Sequence, residues 1–149
     1  GLGDVYKRQD LIKEQFFALR ESKHQGAVHL LNLIRLRDRA DYPDGRSVSG
    51  VEAYQAYGRM SEQVLARLGV KIIWEGQLEC LLIGPQAENW DLYFIAEYPD
   101  VQSFVEIIRD PVYREAAAHR KAAAMDSRLI ALKPRSGATR FGQFLSERA

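Results

Sequence analysis

Cysteine is nearly absent from this chain, which has Cys80 alone among its 149 residues. A single thiol forms no intramolecular disulfide, and no cysteine or histidine spacing typical of a zinc site is present. A phosphate-cradling glycine loop and a serine-nucleophile elbow are missing as well, so the sequence predicts neither a metal nor a cofactor. We predict a cytoplasmic protein in which Cys80, lying in an apolar stretch, is a small buried side chain.

The sequence also lacks long apolar runs and an excess of charge of either sign. No segment reaches the roughly 18 consecutive apolar residues that a membrane-spanning helix needs. The 21 Lys and Arg residues balance 20 Asp and Glu residues, which leaves a net charge of +1 with no long run of like charges. Since a nucleic-acid binder needs a basic patch to replace counterions along phosphates, we predict neither a membrane nor a nucleic acid as a partner.

The pattern divides the chain into four parts. Residues 1–9 fit no element of the predicted fold, and we interpret them as a remnant of cloning or of sequence assembly. Helical spacing predicts an N-terminal helix over 10–26. Residues 27–134 form one predicted domain, and 135–149 form a tail with a short helix around Phe141.

Within the domain, the most apolar run is Val28–Arg37, which predicts a first strand over 27–36. Ser49 as N-cap and Gly69 as terminator predict a helix over 50–68. A long strand region over 70–83 follows. The remaining predicted elements, in chain order, are a strand over 92–98, a helix opened by Asp100, a helix that begins at Asp110-Pro111 and runs through Ala124, and a strand over 128–132.

This order, a helix followed by β-α-β-β-α-β, predicts an α+β protein with a ferredoxin-like, four-stranded antiparallel sheet and both main helices on one face. Leu30 and Ile34 point to one face of the first strand, whereas Leu31 and Leu33 point to the other. A sheet with one wet face alternates apolar and polar residues. Because this strand is apolar on both faces, we predict a homodimer in which two sheets pack face to face as an α+β barrel.

Several groups of residues carry a resemblance to a known family. They are Leu31–Arg37, Tyr54–Gly58, Trp90-Asp91 with Glu97–Pro99, Asp110–Tyr113, and His119-Arg120 with Ser127–Ile130. In this order and spacing, over residues 27–134, the chain resembles domain-of-unknown-function family 1330 of the dimeric ferredoxin-like α+β-barrel superfamily. The resemblance implies the fold and dimerisation, and the family has no established general activity.

Asn32 is a polar side chain on the predicted buried face of the first strand. A buried amide without a partner costs about 1–3 kcal/mol, so it either bonds to a neighbouring strand or helix terminus, or points into a pocket between sheet and helices to orient a ligand carbonyl. Arg35 and Arg37 follow it. They either pair within the charged loop over 37–49 or clamp a ligand carboxylate at the rim of that pocket.

Three further positions leave two interpretations each. Tyr54 and Tyr57 lie on the apolar stripe of the first domain helix, as core residues or as phenols that line a cavity. His119 lies one turn after Glu115, and the pair is either a surface contact or a carboxylate-oriented imidazole.

Arg120 lies on a face of small residues in the last helix, toward the sheet. A charge in such a place needs an anion. Glu97 on the third strand is the structural candidate for that partner, and a ligand is the functional one.

The families related by this resemblance include cofactor-independent oxygenases, isomerases of lactone-type intermediates and haem-degrading enzymes, which use a pocket between sheet and helices. By this analogy of fold, we predict a small apolar ligand with a carbonyl or carboxylate. The alternative is a non-catalytic dimeric module that senses a ligand or has a structural role, and whether the protein is an enzyme stays open. The candidate residues are His119 and Tyr57 for proton transfer and Asn32, Arg35, Arg37, Tyr54 and Arg120 for ligand binding.

Overall fold

A computed structural model of the chain describes residues 10–135, 137 and 139–145. The interpretation of residues 1–9 as a remnant lies outside the described residues. Single 3-10 turns form at Gln86–Glu88 and, in the tail, at Phe141–Gln143. The helices and strands, in chain order, are α1 (Lys13–Glu21), β1 (Val28–Leu36), α2 (Gly50–Arg67), β2 (Lys71–Gly76), β3 (Leu92–Tyr98), α3 (Val101–Arg109), α4 (Pro111–Ala123) and β4 (Ala124–Leu132).

The strands form one antiparallel sheet in the order β2-β3-β1-β4. Strand β1 lies in its centre, where Leu30 faces Ala96 of β3 on one side and Ala131 of β4 on the other. Pairing partners of an antiparallel sheet share a face, so this register decides which side chains meet. The order of elements and of strands confirms the predicted ferredoxin-like α+β fold.

Polar side chains start the domain helices at the predicted places. Ser49, Asp100 and Asp110 each accept a hydrogen bond from the backbone N–H three residues later, at 3.0, 2.7 and 2.9 Å. Each bond satisfies an amide that has no partner inside the helix. Asp110 also separates α3 from α4, because Pro111 fits the first turn of a new helix but not the interior of an old one.

The hydrophobic core lies between the helices and one face of the sheet. Val28 and Leu30 of β1 are buried there against Phe104 and Ile107 of α3. Helix α1 joins this core through Phe16, whose ring centroid lies 6.1 Å from that of Phe104.

The predicted long strand over 70–83 is wrong in its second half. Strand β2 ends at Gly76, which lies opposite Tyr93 near the start of β3. Beyond that point only Leu92 of β3 remains, so the ladder stops although the sequence remains apolar. Cys80 is therefore exposed rather than buried, and Leu82 and Ile83 are 87% and 95% exposed.

The boundary between α4 and β4 also differs from the prediction. Helix α4 ends at Ala123, and Ala124 already pairs with Leu36 of β1. Alanine favours helix locally, but the sheet ladder and the Arg37 N–H, which donates to the Ala123 carbonyl at 2.8 Å, hold this segment in extended form.

Most of the sheet face that points away from the helices is uncovered among the described residues, apart from the end where Arg35 and Arg128 lie against the Trp90 ring. Trp74, Ile130 and Leu132 on this face are 50%, 41% and 41% exposed. His29 and Glu97 form a bond of 2.9 Å at one end of it. We call this surface the open face, and its apolar members are Leu31, Leu33, Trp74, Ile95, Ile130 and Leu132.

Candidate ligand-binding cavity

A cavity of about 1820 Å³ lies between the helix-facing side of the sheet and helices α2 and α4, and it opens to solvent. Asn32, Phe94 and Leu129 from three neighbouring strands contribute to its floor. Tyr57 of α2 and Arg120 of α4 contribute to its roof. Since ligand pockets commonly measure roughly 300–1,000 Å³, the space admits a small organic molecule.

The structure brings most of the predicted ligand contacts to this one place. Those that line the cavity are Asn32, Tyr54, Tyr57 and Arg120. Those that do not line it are Arg35, Arg37 and His119.

Asn32 is 8% exposed, and its Nδ2 donates to the Leu30 carbonyl oxygen of its own strand at 3.1 Å. The predicted bond to a neighbouring strand or a helix end is therefore wrong, because the chain satisfies the amide locally. Within the described part of the chain, the Asn32 Oδ1 atom accepts no hydrogen bond. An acceptor is thus left in the cavity wall for a ligand N–H or O–H.

Three aromatic side chains contribute to the roof of the cavity. The hydroxyl oxygens of Tyr57 and Tyr113 are 2.9 Å apart, and their ring centroids are 5.9 Å apart. The Tyr54 ring lies 5.3 Å from that of Tyr57, since residues three apart on a helix share a face. We call Tyr54, Tyr57 and Tyr113 the tyrosine cluster.

Burial raises the pKa of the phenols around the cavity. The pKa of Tyr54 rises to about 12, and those of Tyr57 and Tyr98 also rise because of burial. Phenol ionises near pH 10 when it is fully solvated. These hydroxyls are therefore protonated at neutral pH, where they donate hydrogen bonds and do not act as bases.

This burial predicts a loss of stability at alkaline pH. The folded-state pKa of Tyr54 is about 12, above the unfolded value, so its contribution to stability is complete below pH 10 and is lost as the pH rises toward 12. From urea unfolding at pH 8 and pH 11, we expect the wild type to lose about 1.4 kcal/mol more than Tyr54→Phe. Equal losses in both proteins would contradict a buried phenol at this position.

The guanidinium of Arg120 forms no hydrogen bond or ion pair with any described residue, although the side chain is half-buried in the cavity wall. The predicted ion pair between Arg120 and Glu97 does not form. Alternate residues of a strand point to opposite faces, and Glu97 lies on the open face, where it bonds to His29 and approaches Lys71 at 3.8 Å. The Arg120 charge instead acts on the tyrosines, since it lowers the pKa of Tyr54 against the larger effect of burial.

Arg35 and Arg37 do not form the predicted carboxylate clamp. Arg35 lies on the open face, where its guanidinium donates to the carbonyls of Ala87 and Asn89 and stacks 5.3 Å from the Trp90 ring centroid. The pairing of β1 with β4 shifts between Arg35 and Leu36, so Arg37 does not continue the alternation. Its buried Nε has no hydrogen-bond partner in the described structure.

His119 points away from the cavity. Its Nδ1 lies 2.6 Å from the Tyr42 hydroxyl, and the two residues border a separate depression of about 220 Å³. The predicted contact with Glu115 is replaced by this bond, which ties the loop before α2 to helix α4. His119 therefore does not share a ligand with Tyr57 in this arrangement.

Sequence reasoning gave no role to Tyr113 or Tyr98, which also line the cavity. Tyr113 lies on the same stripe of α4 as Arg120, seven residues earlier, and this spacing was the available signal. Tyr98 ends β3, and its hydroxyl position depends on how the helices cover the sheet, which the local sequence does not encode.

Some kinds of site are missing from the part of the chain that the structure describes. It holds no group of three or more His, Cys, Asp or Glu residues that could bind a metal ion. The cavity wall contains neither histidine nor cysteine among residues 10–135, 137 and 139–145. In the same residues no helix is both long and apolar enough to cross a membrane.

Solved structures with similar folds include two crystal structures of RPA0582, a protein of unknown function from Rhodopseudomonas palustris. One structure is 57% identical, covers 89% of this chain and all of that one, and has a TM-score of 0.83. The structure of its methylated form is 61% identical, covers 85% and 94% of the two chains, and has a TM-score of 0.82.

SnoaB, a cofactor-independent oxygenase from Streptomyces nogalater, is 14% identical, with 77% and 99% of the chains covered and a TM-score of 0.50. At this identity the similarity shows the fold alone. Among curated proteins none matches the chain. The sequence model of a domain of unknown function, DUF1330, matches residues 46–133, which is more than half of the chain, so this protein belongs to the DUF1330 family.

Proposed function

We propose that this protein binds a small, largely apolar molecule with a carbonyl or carboxylate group in the cavity between sheet and helices. The convergence of Asn32, Tyr54, Tyr57 and Arg120 on one cavity supports this most directly. Few polar groups in a mostly apolar concave wall are typical of sites that orient an organic ligand. The phenols and the guanidinium supply hydrogen-bond donors, and the rings and strand side chains supply apolar contact.

Binding without catalysis is the second candidate. The raised pKa of Tyr57 keeps its proton in place, so this residue serves as an acid or donor rather than as the base of a proton transfer. Among the described residues, those that line the cavity include no histidine and no cysteine, so the wall contributes no imidazole or thiol. These observations favour a carrier or sensor over an enzyme that removes a proton from its ligand.

A ligand screen tests the proposal. We expect aromatic acids, ketones or lactones to raise the melting temperature, and calorimetry to give a stoichiometry of one ligand per chain. The variant Ala117→Phe, which places a ring in the cavity wall, is expected to abolish binding. Ala18→Phe adds the same ring to the exposed surface of α1 and is expected to leave it unchanged.

Two results decide between the candidate functions. Mass spectrometry of the recovered ligand distinguishes simple binding, in which the ligand is unaltered, from transformation. Binding that survives Ala117→Phe would contradict this cavity as the site.

We also propose that a second copy of the chain covers the open face. The half-exposed side chains of Trp74, Ile130 and Leu132 support this, because exposed apolar patches of this kind mark interaction sites. Both signs of charge are present at each end of the face, in Lys71 with Glu97 and in Arg128 with Glu88. A second copy packed against it therefore meets no surplus of like charge.

A further inference from the structure

We propose that the ligand of this cavity is an ionised aromatic carboxylic acid whose carboxylate is held by Arg120 and by phenol hydroxyls. This inference rests on the proposed function and narrows it, because a neutral carbonyl compound would satisfy the binding proposal but not this one. Three observations carry it, namely an unpaired cation, a surplus of hydrogen-bond donors and a ring-lined wall.

The unpaired cation is Arg120. Its guanidinium is half-buried and forms no ion pair with the described residues. The carboxylates that share the cavity wall, such as Glu62 and Glu75, are exposed and do not bond to it. A partly buried charge is costly without a counter-ion. An anion that enters the cavity supplies the missing partner.

On the roof of the cavity, the hydrogen-bond donors exceed the acceptors that the protein offers them, whereas the free acceptor of Asn32 lies on the floor. The hydroxyls of Tyr57 and Tyr113 share one hydrogen bond, so one of their two hydroxyl hydrogens is always left over. The hydroxyl of Tyr54 bonds to no described residue, and its raised pKa keeps it protonated. A guanidinium adds several N–H groups that cannot be deprotonated. A carboxylate, which only accepts hydrogen bonds, complements this set better than an alcohol or an amine.

The walls favour an aromatic body behind the carboxylate. Tyr54 and Tyr57 present their rings 5.3 Å apart, and Phe94 and Phe104 also line the cavity. Aromatic rings prefer edge-to-face or offset contacts with other rings at such distances. Among the described residues, the other cations of the wall are exposed, namely Arg59, Lys71, Arg114 and Lys121. One half-buried guanidinium suits a monoanion rather than a phosphate ester, whose greater charge usually calls for a cluster of cations in the site.

The experiment compares three matched probes by isothermal titration calorimetry at pH 7.5, namely 2-naphthoate, methyl 2-naphthoate and 2-acetylnaphthalene. We expect the acid to bind the wild type at least 10-fold more tightly than the ester or the ketone. In Arg120→Gln the acid is expected to lose about 10- to 100-fold in affinity, the range for a charge-assisted hydrogen bond, while the ketone binds as before. Arg109→Gln makes the same charge change on the exposed surface of α3 and is expected to change neither.

The outcomes separate this inference from the proposed function. Equal affinity for the acid and its ester, or undiminished acid binding by Arg120→Gln, would overturn the carboxylate while leaving the cavity as a ligand site. Failure of all three probes to bind the wild type would overturn both. Because Arg120 bonds to nothing in the described chain, its replacement is not expected to unfold the protein, and the circular dichroism melt of the variant verifies this. A second variant, Tyr54→Phe, is expected to weaken acid binding by less than Arg120→Gln, and no loss in it would remove that phenol from the site.

Discussion

Gly50→Ala is expected to abolish stable folding, although it adds a single methyl group at the start of a helix. A Cβ atom on Gly50 would lie 2.0 Å from the Arg37 carbonyl oxygen and 2.9 Å from the Arg37 carbonyl carbon. Both are backbone atoms of the segment that leaves β1, so no side chain can rotate away. We expect a loss of about 4 kcal/mol or more, a large part of the 5–15 kcal/mol by which domains are stable.

The close contact has a structural origin. The loop between β1 and α2 folds back on itself, with the Ala40 N–H donating to the Val48 carbonyl at 2.9 Å and the Gly50 N–H to the Asp38 carbonyl at 3.3 Å. These bonds press the first turn of α2 onto the backbone at Arg37. A side chain at position 50 would separate the two segments and break the bonds that start the helix.

Gly58→Ala is the matched control. Gly58 lies in the same helix, and a Cβ atom there meets nothing within 4 Å. Alanine in a helix interior is more stable than glycine by about 0.5–1 kcal/mol, so this variant is expected to be slightly stabilised. Urea unfolding of both variants at one protein concentration provides the measurement. If Gly50→Ala unfolded at the wild-type urea concentration, the close approach of α2 to Arg37 would be refuted.

The sequence predicted those elements whose signals are local. Ser49, Asp100 and Asp110 announce helix starts by their own hydrogen-bonding chemistry, and the structure confirms all three. The end of β2 at Gly76 was missed because it depends on where β3 begins, 16 residues later in the chain. The early start of β4 was missed for the same reason, since Ala124 is held by Leu36 of a distant strand. Neither strand boundary can be predicted from the residues next to it.

The candidate site follows the same division. Asn32 and Arg120 were identified because a polar group on an apolar face is visible in the periodicity alone. Arg35 was wrongly assigned to the ligand site because the sequence does not show which groups its guanidinium contacts. These groups are the Trp90 ring and the carbonyl of Asn89. His119 was misplaced by the turn of α4 that carries it toward Tyr42 instead of the sheet. Helical spacing shows which side chains of a helix share a face. How the helix packs on the sheet decides which of these side chains reach the site.

Ile130→Lys is expected to convert the proposed dimer into a monomer. Ile130 is 41% exposed in a single copy and lies on the open face, opposite Leu31 in the β1–β4 ladder. In a dimer with two-fold symmetry the substitution occurs twice. Each copy loses the burial of an isoleucine and would have to bury an unpaired ammonium. We expect the dissociation constant to rise by more than about 100-fold, which corresponds to roughly 2.7 kcal/mol.

Val51→Lys separates this effect from a general effect of lysine. Val51 is 52% exposed on α2, in the helix layer on the other side of the sheet from the open face, so the same change there is expected to leave the mass unaltered. Light scattering at micromolar concentration should give twice the 17.0 kDa chain mass for the wild type and Val51→Lys, and the chain mass for Ile130→Lys. The variant monomer should still fold, because the Ile130 side chain lies on the open face and is 41% exposed within its own copy, and its circular dichroism spectrum would show this. A wild type that scatters as a monomer, or an Ile130→Lys protein that remains a dimer, would place the self-association surface elsewhere and leave the apolar character of the open face to be explained by a different partner.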